Sequence, residues 1–366
     1  MPTDPAAATA PSRDGLVAHV GSYTDAGRPA GLHALRIDPD AGTLVPLGAT
    51  DVGPNPSYLA PHPTLPLLYA ANELAEWAGA ATGAVTAVAL GEDGGPSRVL
   101  GRRASGGAAP CHLAVDPTGR HLVVANYVGG SVARLPIAAD GTLGEATAVV
   151  AHEGRGPDAT RQDAPHVHCA LPDAEGRFAL AADLGTDRVV VYAIEGEGAL
   201  ARRGEVAAAP GAGPRHVALH PDGRTAYVVN ELDLTLAAYA WDARDGTLDP
   251  TGAIALLDRR PPGEVTAAAL KLARDGRFAY VSVRGADAVV VLALDDPRSP
   301  RVVQRVPCGG RWPRDLALDP SGRWLLVANQ RSNDVVAFRV DADTGLLAPT
   351  GARVEVESPT CVTFVG

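Results

Sequence analysis

Residues Pro110 to Asn126 read PCHLAVDPTGRHLVVAN, and this stretch decides the fold because it returns along the chain in recognisable copies. Close copies are PRHVALHPDGRTAYVVN at Pro214 to Asn230 and PRDLALDPSGRWLLVAN at Pro313 to Asn329. Looser copies occupy 56–72, 165–183 and 264–283. A repeat of about fifty residues that holds several short strands is typical of a β-propeller, in which each repeat forms one blade.

Each copy has the form of two short strands joined by a tight turn. HLAVD and HLVVAN are aliphatic and β-branched runs, separated by a turn in which Pro117 presets φ and Gly119 accepts a positive φ. A third strand and a second hairpin follow, as in VGGSVARLPI and DGTLGEATAVV. Each unit therefore predicts four antiparallel strands, and the absence of helical periodicity predicts an all-β fold with almost no helix.

The number of units predicts a seven-bladed β-propeller. Six complete units run from Pro56 to about Glu357. The segment 358–366 resembles a first strand, and 16–24, 31–38 and 43–52 resemble the other three strands of a unit. The N- and C-terminal strands are therefore expected to form one blade that closes the ring and removes its open edges. We expect a single propeller domain over residues 15–366, preceded by a disordered tail at residues 1–14.

Composition narrows the partners and the location. The net charge of −10 argues against nucleic acid and acidic membranes as partners. The sequence contains no run of eighteen apolar residues, so it predicts no membrane span. Residues 1–14 have no apolar signal region, and the four cysteines show no CxxC spacing. The sequence therefore predicts a cytoplasmic protein with buried, reduced cysteines and with neither a bound metal nor a cofactor. We expect a monomer, although no sequence feature decides the oligomeric state.

The hairpin geometry sorts polar residues onto one rim of the central channel. In an antiparallel pair, the residue that opens the first strand and the residue that closes the second lie at the same sheet edge. The strand openings contribute His112, His166, His168, Arg215, His216, Arg314 and Asp315, and the strand ends contribute Asn72, Glu73, Asn126, Asp183, Asn230, Glu231, Arg284 and Asn329. The opposite rim receives exposed turn arginines, namely Arg120, Arg177, Arg224, Arg277 and Arg323.

Departures from the repeat single out candidates on the polar rim. Glu231 and Arg284 stand where other units carry a neutral residue or a different charge, whereas the strand-end asparagines suit loop capping. His166 and His168 are two residues apart, which places them on the same side of an extended strand, but no third metal ligand is evident. The long insertion 151–164 is expected to fold over the rim and supply Arg155, Arg161 or Gln162 to a ligand.

Five motifs carry a resemblance to a known family: GSYT (21–24), PHVH (165–168), GPRH (213–216), NEL (230–232) and VSVRG (281–285). Together they resemble the seven-bladed propeller lactonases, which include a bacterial 6-phosphogluconolactonase and a fungal carboxymuconate-lactonizing cyclase. The resemblance extends over nearly the whole chain from about Leu16. It implies that a histidine (His166 or His168), Arg215, Glu231 and Arg284 are catalytic.

The resemblance implies a lactonase that acts on a small anionic lactone, such as 6-phosphogluconolactone. An arginine would stabilise the oxyanion, and a histidine or Glu231 would activate the attacking water. From their places on the polar rim, we expect four further residues to bind the substrate: His112, His216, Asn230 and Arg314. The alternatives are a hydrolase or lactonizing cyclase for another lactone, of the muconate type, and a non-catalytic binding platform. The polar rim favours a small-molecule site over a platform, which would expose apolar patches.

Overall fold

A computed structural model describes residues 16–24, 27–196 and 198–365 of this chain. Within these ranges it contains strands and no helix, and the strands form seven antiparallel sheets of four. The predicted seven-bladed, all-β architecture is confirmed. The predicted tail at residues 1–14 lies outside the described residues.

The innermost strand of each blade contacts the innermost strands of both neighbouring blades, so the seven surround a central channel. These strands are β4 (Pro56–Pro61), β8 (Pro110–Val115), β12 (Val167–Pro172), β16 (Pro214–Leu219), β20 (Thr266–Leu272), β24 (Pro313–Leu318) and β28 (Pro359–Phe364).

The other three strands of each blade follow outward in chain order. The second strands are β1 (Leu16–Ser22), β5 (Leu67–Asn72), β9 (His121–Asn126), β13 (Phe178–Asp183), β17 (Thr225–Asn230), β21 (Phe278–Arg284) and β25 (Trp324–Asn329). The third strands are β2 (Leu32–Ile37), β6 (Ala84–Leu90), β10 (Ser131–Pro136), β14 (Arg188–Glu195), β18 (Thr235–Asp242), β22 (Ala288–Ala293) and β26 (Asp334–Val340). The outer strands are β3 (Leu44–Thr50), β7 (Pro96–Ala104), β11 (Ala148–Ala151), β15 (Ala199–Ala207), β19 (Thr247–Ala255), β23 (Arg301–Pro307) and β27 (Leu347–Glu355).

The ring closes through the two ends of the chain, as the repeat count predicted. The C-terminal strand β28 pairs antiparallel with β1, with Val362 opposite Val20, and the Thr360 hydroxyl donates to the Gly21 carbonyl at 3.0 Å. The closing blade is therefore a complete four-stranded sheet that joins the two ends of the chain.

Adjacent blades pack face to face through apolar side chains. One such layer buries Tyr227, Leu236, Val281 and Val290 between the fourth and fifth complete units. Full burial of an aliphatic or aromatic side chain contributes about 1.5–3 kcal/mol, so these layers fix the blades relative to one another. The channel rim is consequently built on a rigid frame.

The recurring turn glycines serve the same blade-to-blade packing. Gly246 and Gly345 have φ of +69° and +68°, and a Cβ at either would meet a phenylalanine ring of the preceding blade within 2.5 Å. Glycine is required there for conformation and for space.

Every innermost strand carries a β-bulge close to its beginning. The bulge leaves one residue of the strand out of register, or two in β20. The bulged residues are Ser57, Cys111, His168, Arg215, Arg314, Thr360 and, in β20, Ala268 and Ala269. Because a bulge changes the direction of a side chain, it places His168, Arg215 and Arg314 at the same level of their blades.

The bulge also changes the expected relation between His166 and His168. His166 precedes β12, and the bulge falls on His168, so the two-residue alternation of a regular strand does not apply to this pair.

Candidate active site

Glu231 is the centre of the charged cluster at the channel mouth. It directly follows β17, and its side chain is only 3% exposed. Its Oε2 lies 3.0 Å from Nε of Arg215 and 2.9 Å from Nη2 of Arg284, and its Oε1 accepts a hydrogen bond of 2.6 Å from Nη2 of Arg161. The structure thus brings together Arg215, Glu231 and Arg284 from two blades, and Arg161 joins them from the 151–164 insertion.

The arginines keep Glu231 ionised. Burial alone would raise the pKa of its carboxyl, but the charges of Arg284 and Arg215, with a smaller contribution from Arg161, hold that pKa well below its usual range. Three guanidinium groups surround one carboxylate, which leaves an excess of positive charge. The mouth is therefore cationic in a protein whose net charge is −10.

The three arginines differ in what they can offer a ligand. Arg215 is the most deeply buried, and its Nη1 donates to the Ala268 carbonyl at 2.6 Å and to Nε2 of His216 at 3.1 Å. Arg284 donates to the Ala267 carbonyl at 3.1 Å, yet its buried Nε has no hydrogen-bond partner.

The arginine side chains nearest the solvent are the natural donors to a ligand. Arg161 is 34% exposed, and Arg284 lies over the ring of Trp312 at 5.6 Å. Burial lowers the pKa of Arg284 to about 10 against the opposing charge of Glu231, so this guanidinium stays protonated at neutral pH.

Three of the predicted histidines form a cluster inside the channel. The rings of His112 and His168 each lie 5.7 Å from the ring of His216, and Tyr58 packs on His112 at 4.4 Å. Burial lowers the pKa of His112 to about 3 and those of His168 and His216 well below the usual range. All three imidazoles are therefore neutral at physiological pH.

His166 occupies a different place at the mouth. Its ring stacks on Tyr127 at 4.5 Å, and its side chain is 14% exposed. Its Nδ1 lies 3.1 Å from the Tyr127 carbonyl, which can only accept, so Nδ1 carries the proton. The other nitrogen, Nε2, lies 3.3 Å from Oδ1 of Asp163. The Asp163 carboxylate can also only accept, so in this geometry each ring nitrogen faces an acceptor.

A second charged group includes Arg314. Its Nη2 donates to the Tyr23 hydroxyl at 2.9 Å, and that hydroxyl donates to Oε2 of Glu73 at 3.0 Å. The Arg314 charge is thus matched by Glu73.

The strand-end asparagines bond either to their own blade or to the connection that arrives from the preceding blade. Asn230 donates to the Thr235 hydroxyl at 2.9 Å, and Asn72, Asn126 and Asn329 donate to the carbonyls of Pro54, Ser105 and Cys308. For the latter three, these contacts agree with the capping role that the sequence suggests.

Sequence reasoning missed four residues that shape the mouth: Tyr23, Tyr127, Arg260 and Trp312. Tyr127 directly follows the strand-ending Asn126, so the repeat offered a signal for it. Arg260 lies in the segment DRRPPGE between β19 and β20. The two adjacent arginines of this segment depart from the repeat.

No group of three or more histidine, cysteine or acidic side chains is arranged to hold a metal ion within the part of the chain that the structure describes. Over the same residues, no helix is long and apolar enough to cross a membrane.

Comparison with known proteins gives the family. Residues 17–364 match the family model described as lactonase, 7-bladed beta-propeller. The chain belongs to this lactonase family. A curated relative, 6-phosphogluconolactonase of Bacillus subtilis, is 32% identical over 95% of this chain and 98% of its own length.

Solved structures of this lactonase family's fold superpose on nearly the whole chain. The periplasmic gluconolactonase of Pseudomonas aeruginosa is 32% identical with a TM-score of 0.87, covering 96% of this chain and 99% of its own. A Lactobacillus plantarum protein is 29% identical with a TM-score of 0.89, covering 96% and 100%.

Proposed function

We propose that this protein is an ester hydrolase that opens a sugar-acid lactone at the mouth around Glu231, with 6-phosphogluconolactone as its substrate. Family membership and the name of the Bacillus subtilis relative support a lactonase role. The observation that carries the proposal is the buried cluster of three arginines around one carboxylate, because its excess positive charge suits an anionic substrate.

Lactone hydrolysis places negative charge on the carbonyl oxygen when water attacks the carbonyl carbon. We assign stabilisation of that oxyanion to Arg284. Arg284 has a buried N–H without a hydrogen-bond partner, and its guanidinium is held in place by Oε2 of Glu231 at 2.9 Å. Fixed donors in a water-poor site require little reorganisation as the charge develops.

His166 is the best placed general base. Its Nδ1–H donates to the Tyr127 carbonyl, and in the neutral ring Nε2 takes a proton from the attacking water; the Asp163 carboxylate, 3.3 Å from Nε2, then stabilises the imidazolium that forms. Glu231 is a weak base because the arginines hold its pKa so low. We therefore assign Glu231 the role of positioning Arg161, Arg215 and Arg284.

The second half of the reaction returns the proton. The tetrahedral intermediate collapses, the bond between the carbonyl carbon and the ring oxygen breaks, and the protonated His166 donates its Nε2 proton to the departing alkoxide. The products are a hydroxyl group and a carboxylic acid, which ionises to the carboxylate. One water is consumed, and no cofactor takes part.

The test is a hydrolysis assay on three lactones: 6-phosphogluconolactone, glucono-lactone and a muconolactone. A pH-stat measures the rate of hydrolysis from the acid that is released. We expect turnover of the phosphorylated sugar lactone well above its spontaneous rate, and loss of that turnover in Arg215→Ala. If the enzyme hydrolysed muconolactone faster than the sugar lactones, the proposed substrate would change from a sugar-acid lactone to a lactone of the muconate type. Absence of turnover on all three would remove the proposal.

A further inference from the structure

A cavity of about 530 Å³ opens beside the Glu231 cluster and has no role in the mechanism above. Among the residues that line it are Arg161, Leu232, Arg260, Glu264 and Thr266. Arg161 also donates to Glu231, and Thr266 lies opposite Arg284 in the pairing of β20 with β21. The cavity is therefore continuous with the mouth, and a ligand at the mouth can extend into it.

The cavity contains a cation without an acidic partner. Arg260 donates to the carbonyls of Leu232 at 3.0 Å and Val265 at 2.7 Å, and it forms no ion pair among the described residues. These two bonds to neutral carbonyls fix the guanidinium in place and leave its charge uncompensated.

The two acidic residues of the cavity are already engaged. Glu264 pairs with Arg331 at 3.1 Å, and Oδ1 of Asp158 accepts hydrogen bonds from the backbone N–H groups of Thr160 and Arg161. Neither acid forms an ion pair with Arg260, whose guanidinium keeps N–H donors beyond the two that bond to carbonyls. The hydroxyl of Thr266 is also buried without a hydrogen-bond partner.

We propose that this cavity binds an anionic substituent on the lactone, remote from the reacting carbonyl, through Arg161 and Arg260. This inference rests on the proposed function. Two guanidinium groups match a phosphoryl dianion better than a single carboxylate, because each can form paired charged hydrogen bonds to phosphate oxygens. Arg260 is then a specificity-determining residue that does not touch the reacting atoms, and Arg161 joins the subsite to the catalytic cluster.

Arg260→Ala tests the subsite, and Arg259→Ala is its matched control, since Arg259 is the adjacent arginine and does not line the cavity. We expect Arg260→Ala to raise KM for the phosphorylated lactone about ten- to a hundredfold, the value of one or two charged hydrogen bonds, with little change in kcat. KM for the unphosphorylated lactone should stay unchanged, and Arg259→Ala should behave as wild type.

The KM of wild type and of Arg260→Ala should also be compared on a lactone that carries a carboxylate in place of the phosphate. This comparison shows whether the subsite prefers a phosphoryl group or a carboxylate. A smaller effect of Arg260→Ala on the carboxylate substrate supports a phosphoryl subsite. An equal rise in KM for charged and uncharged lactones, or an equal effect of Arg259→Ala, would overturn the assignment.

A binding measurement keeps this test separate from the proposed activity. Calorimetric titration with 6-phosphogluconate and with gluconate needs no turnover. Tighter binding of the phosphorylated acid that disappears in Arg260→Ala supports the subsite even if no lactone is hydrolysed. Equal affinity of wild type for both acids contradicts it, whatever the hydrolysis assay shows.

Discussion

Strand β21 is flanked by Arg277, directly before its first residue, and ends with Arg284, and these two arginines have opposite surroundings. Arg277 precedes the strand at the rim of the Gly-Arg turns, where its side chain is 52% exposed and pairs with Asp275 at 2.8 Å. It also donates to the Ala342 carbonyl of the next blade. Arg284 ends the strand at the other rim, where its side chain is 8% exposed and shares Glu231 with two further arginines.

The difference shows what distinguishes a functional rim in a repeat fold. At the turn rim, Arg277 has its own carboxylate, and Arg177 and Arg323 donate to neutral carbonyls of neighbouring blades. At the Glu231 rim, buried positive charge exceeds buried negative charge, which costs stability unless an anion binds there. The imbalance of charge, and not the residue type, therefore marks the candidate site.

The largest effect should come from removing the shared carboxylate. Glu231→Gln leaves three guanidinium groups without a counter-charge, so we expect kcat/KM on the lactone to fall about a thousandfold. The free energy of unfolding should fall by about 3–5 kcal/mol. Steady-state kinetics and urea unfolding measure the two effects.

The control for that change is Asp275→Asn at the turn rim, which removes the carboxylate partner of Arg277. It should alter the free energy of unfolding by less than about 1 kcal/mol and leave kcat/KM unchanged. If the two variants were equally stable and equally active, the contrast between the rims would be lost.

The next effect separates the two histidines of the PHVH motif. His166→Gln should lower kcat about a hundredfold or more with stability unchanged, because it removes the proposed base at the mouth. His168→Gln disturbs a buried ring that contacts His216 and Cys111, and it should mainly lower the free energy of unfolding, by about 1–3 kcal/mol. A larger loss of kcat in His168→Gln would exchange the two roles.

The buried histidines also predict a pH dependence of stability. The pKa of His112 is lowered from 6.5 to about 3, and burial also lowers the pKa values of His168 and His216 well below the usual range. The unfolded chain therefore takes up protons that the folded chain does not. Stability is greatest above pH 6.5 and falls as the pH drops toward 3, by about 1.4 kcal/mol per pH unit for each histidine.

Urea unfolding at pH 6, 5 and 4 measures that slope, because the unfolded histidine is largely protonated only below pH 6.5. His112→Gln should reduce the slope by about one histidine's share, which approaches 1.4 kcal/mol per pH unit between pH 5 and 4. An unchanged slope would mean that His112 is protonated as readily in the folded protein as in the unfolded chain.

The smallest effect is expected at the turn rim. Arg177→Ala and Arg323→Ala remove exposed side chains that donate to the carbonyls of Ala243 and Pro39. Each should change the free energy of unfolding by less than about 1 kcal/mol and leave kcat/KM unchanged. Loss of activity in either variant would show that both rims serve the reaction.

The repeat made most of the fold predictable. Pro117 and Gly119 mark a hairpin that recurs in other units, and the strand-like ends at 16–24 and 358–366 indicated the closing blade. The bulges were not predictable, because they insert no recognisable residue: Arg215, His168 and Ala268 occupy the same bulge position with unrelated side chains.

The candidate site was predictable only in part. Glu231 and Arg284 stood out as departures from the repeat, and the insertion 151–164 pointed to Arg161. His112 and His216 are buried inside the channel, below the charged cluster at the mouth. No pattern in the sequence indicates how deep in the channel a residue lies. Arg260 and Trp312 lie in the segments that connect one blade to the next. Where these segments lie on the rim is fixed only by the packing of the complete ring of blades.

The most direct measurement compares the two ends of β21 on one substrate. The kcat/KM of Arg284→Ala and of Arg277→Ala should be determined side by side with 6-phosphogluconolactone, with thermal unfolding confirming that both variants fold. We expect a loss of at least about a hundredfold for Arg284→Ala and a value within about twofold of wild type for Arg277→Ala. Equal activity in two folded variants would contradict this expectation.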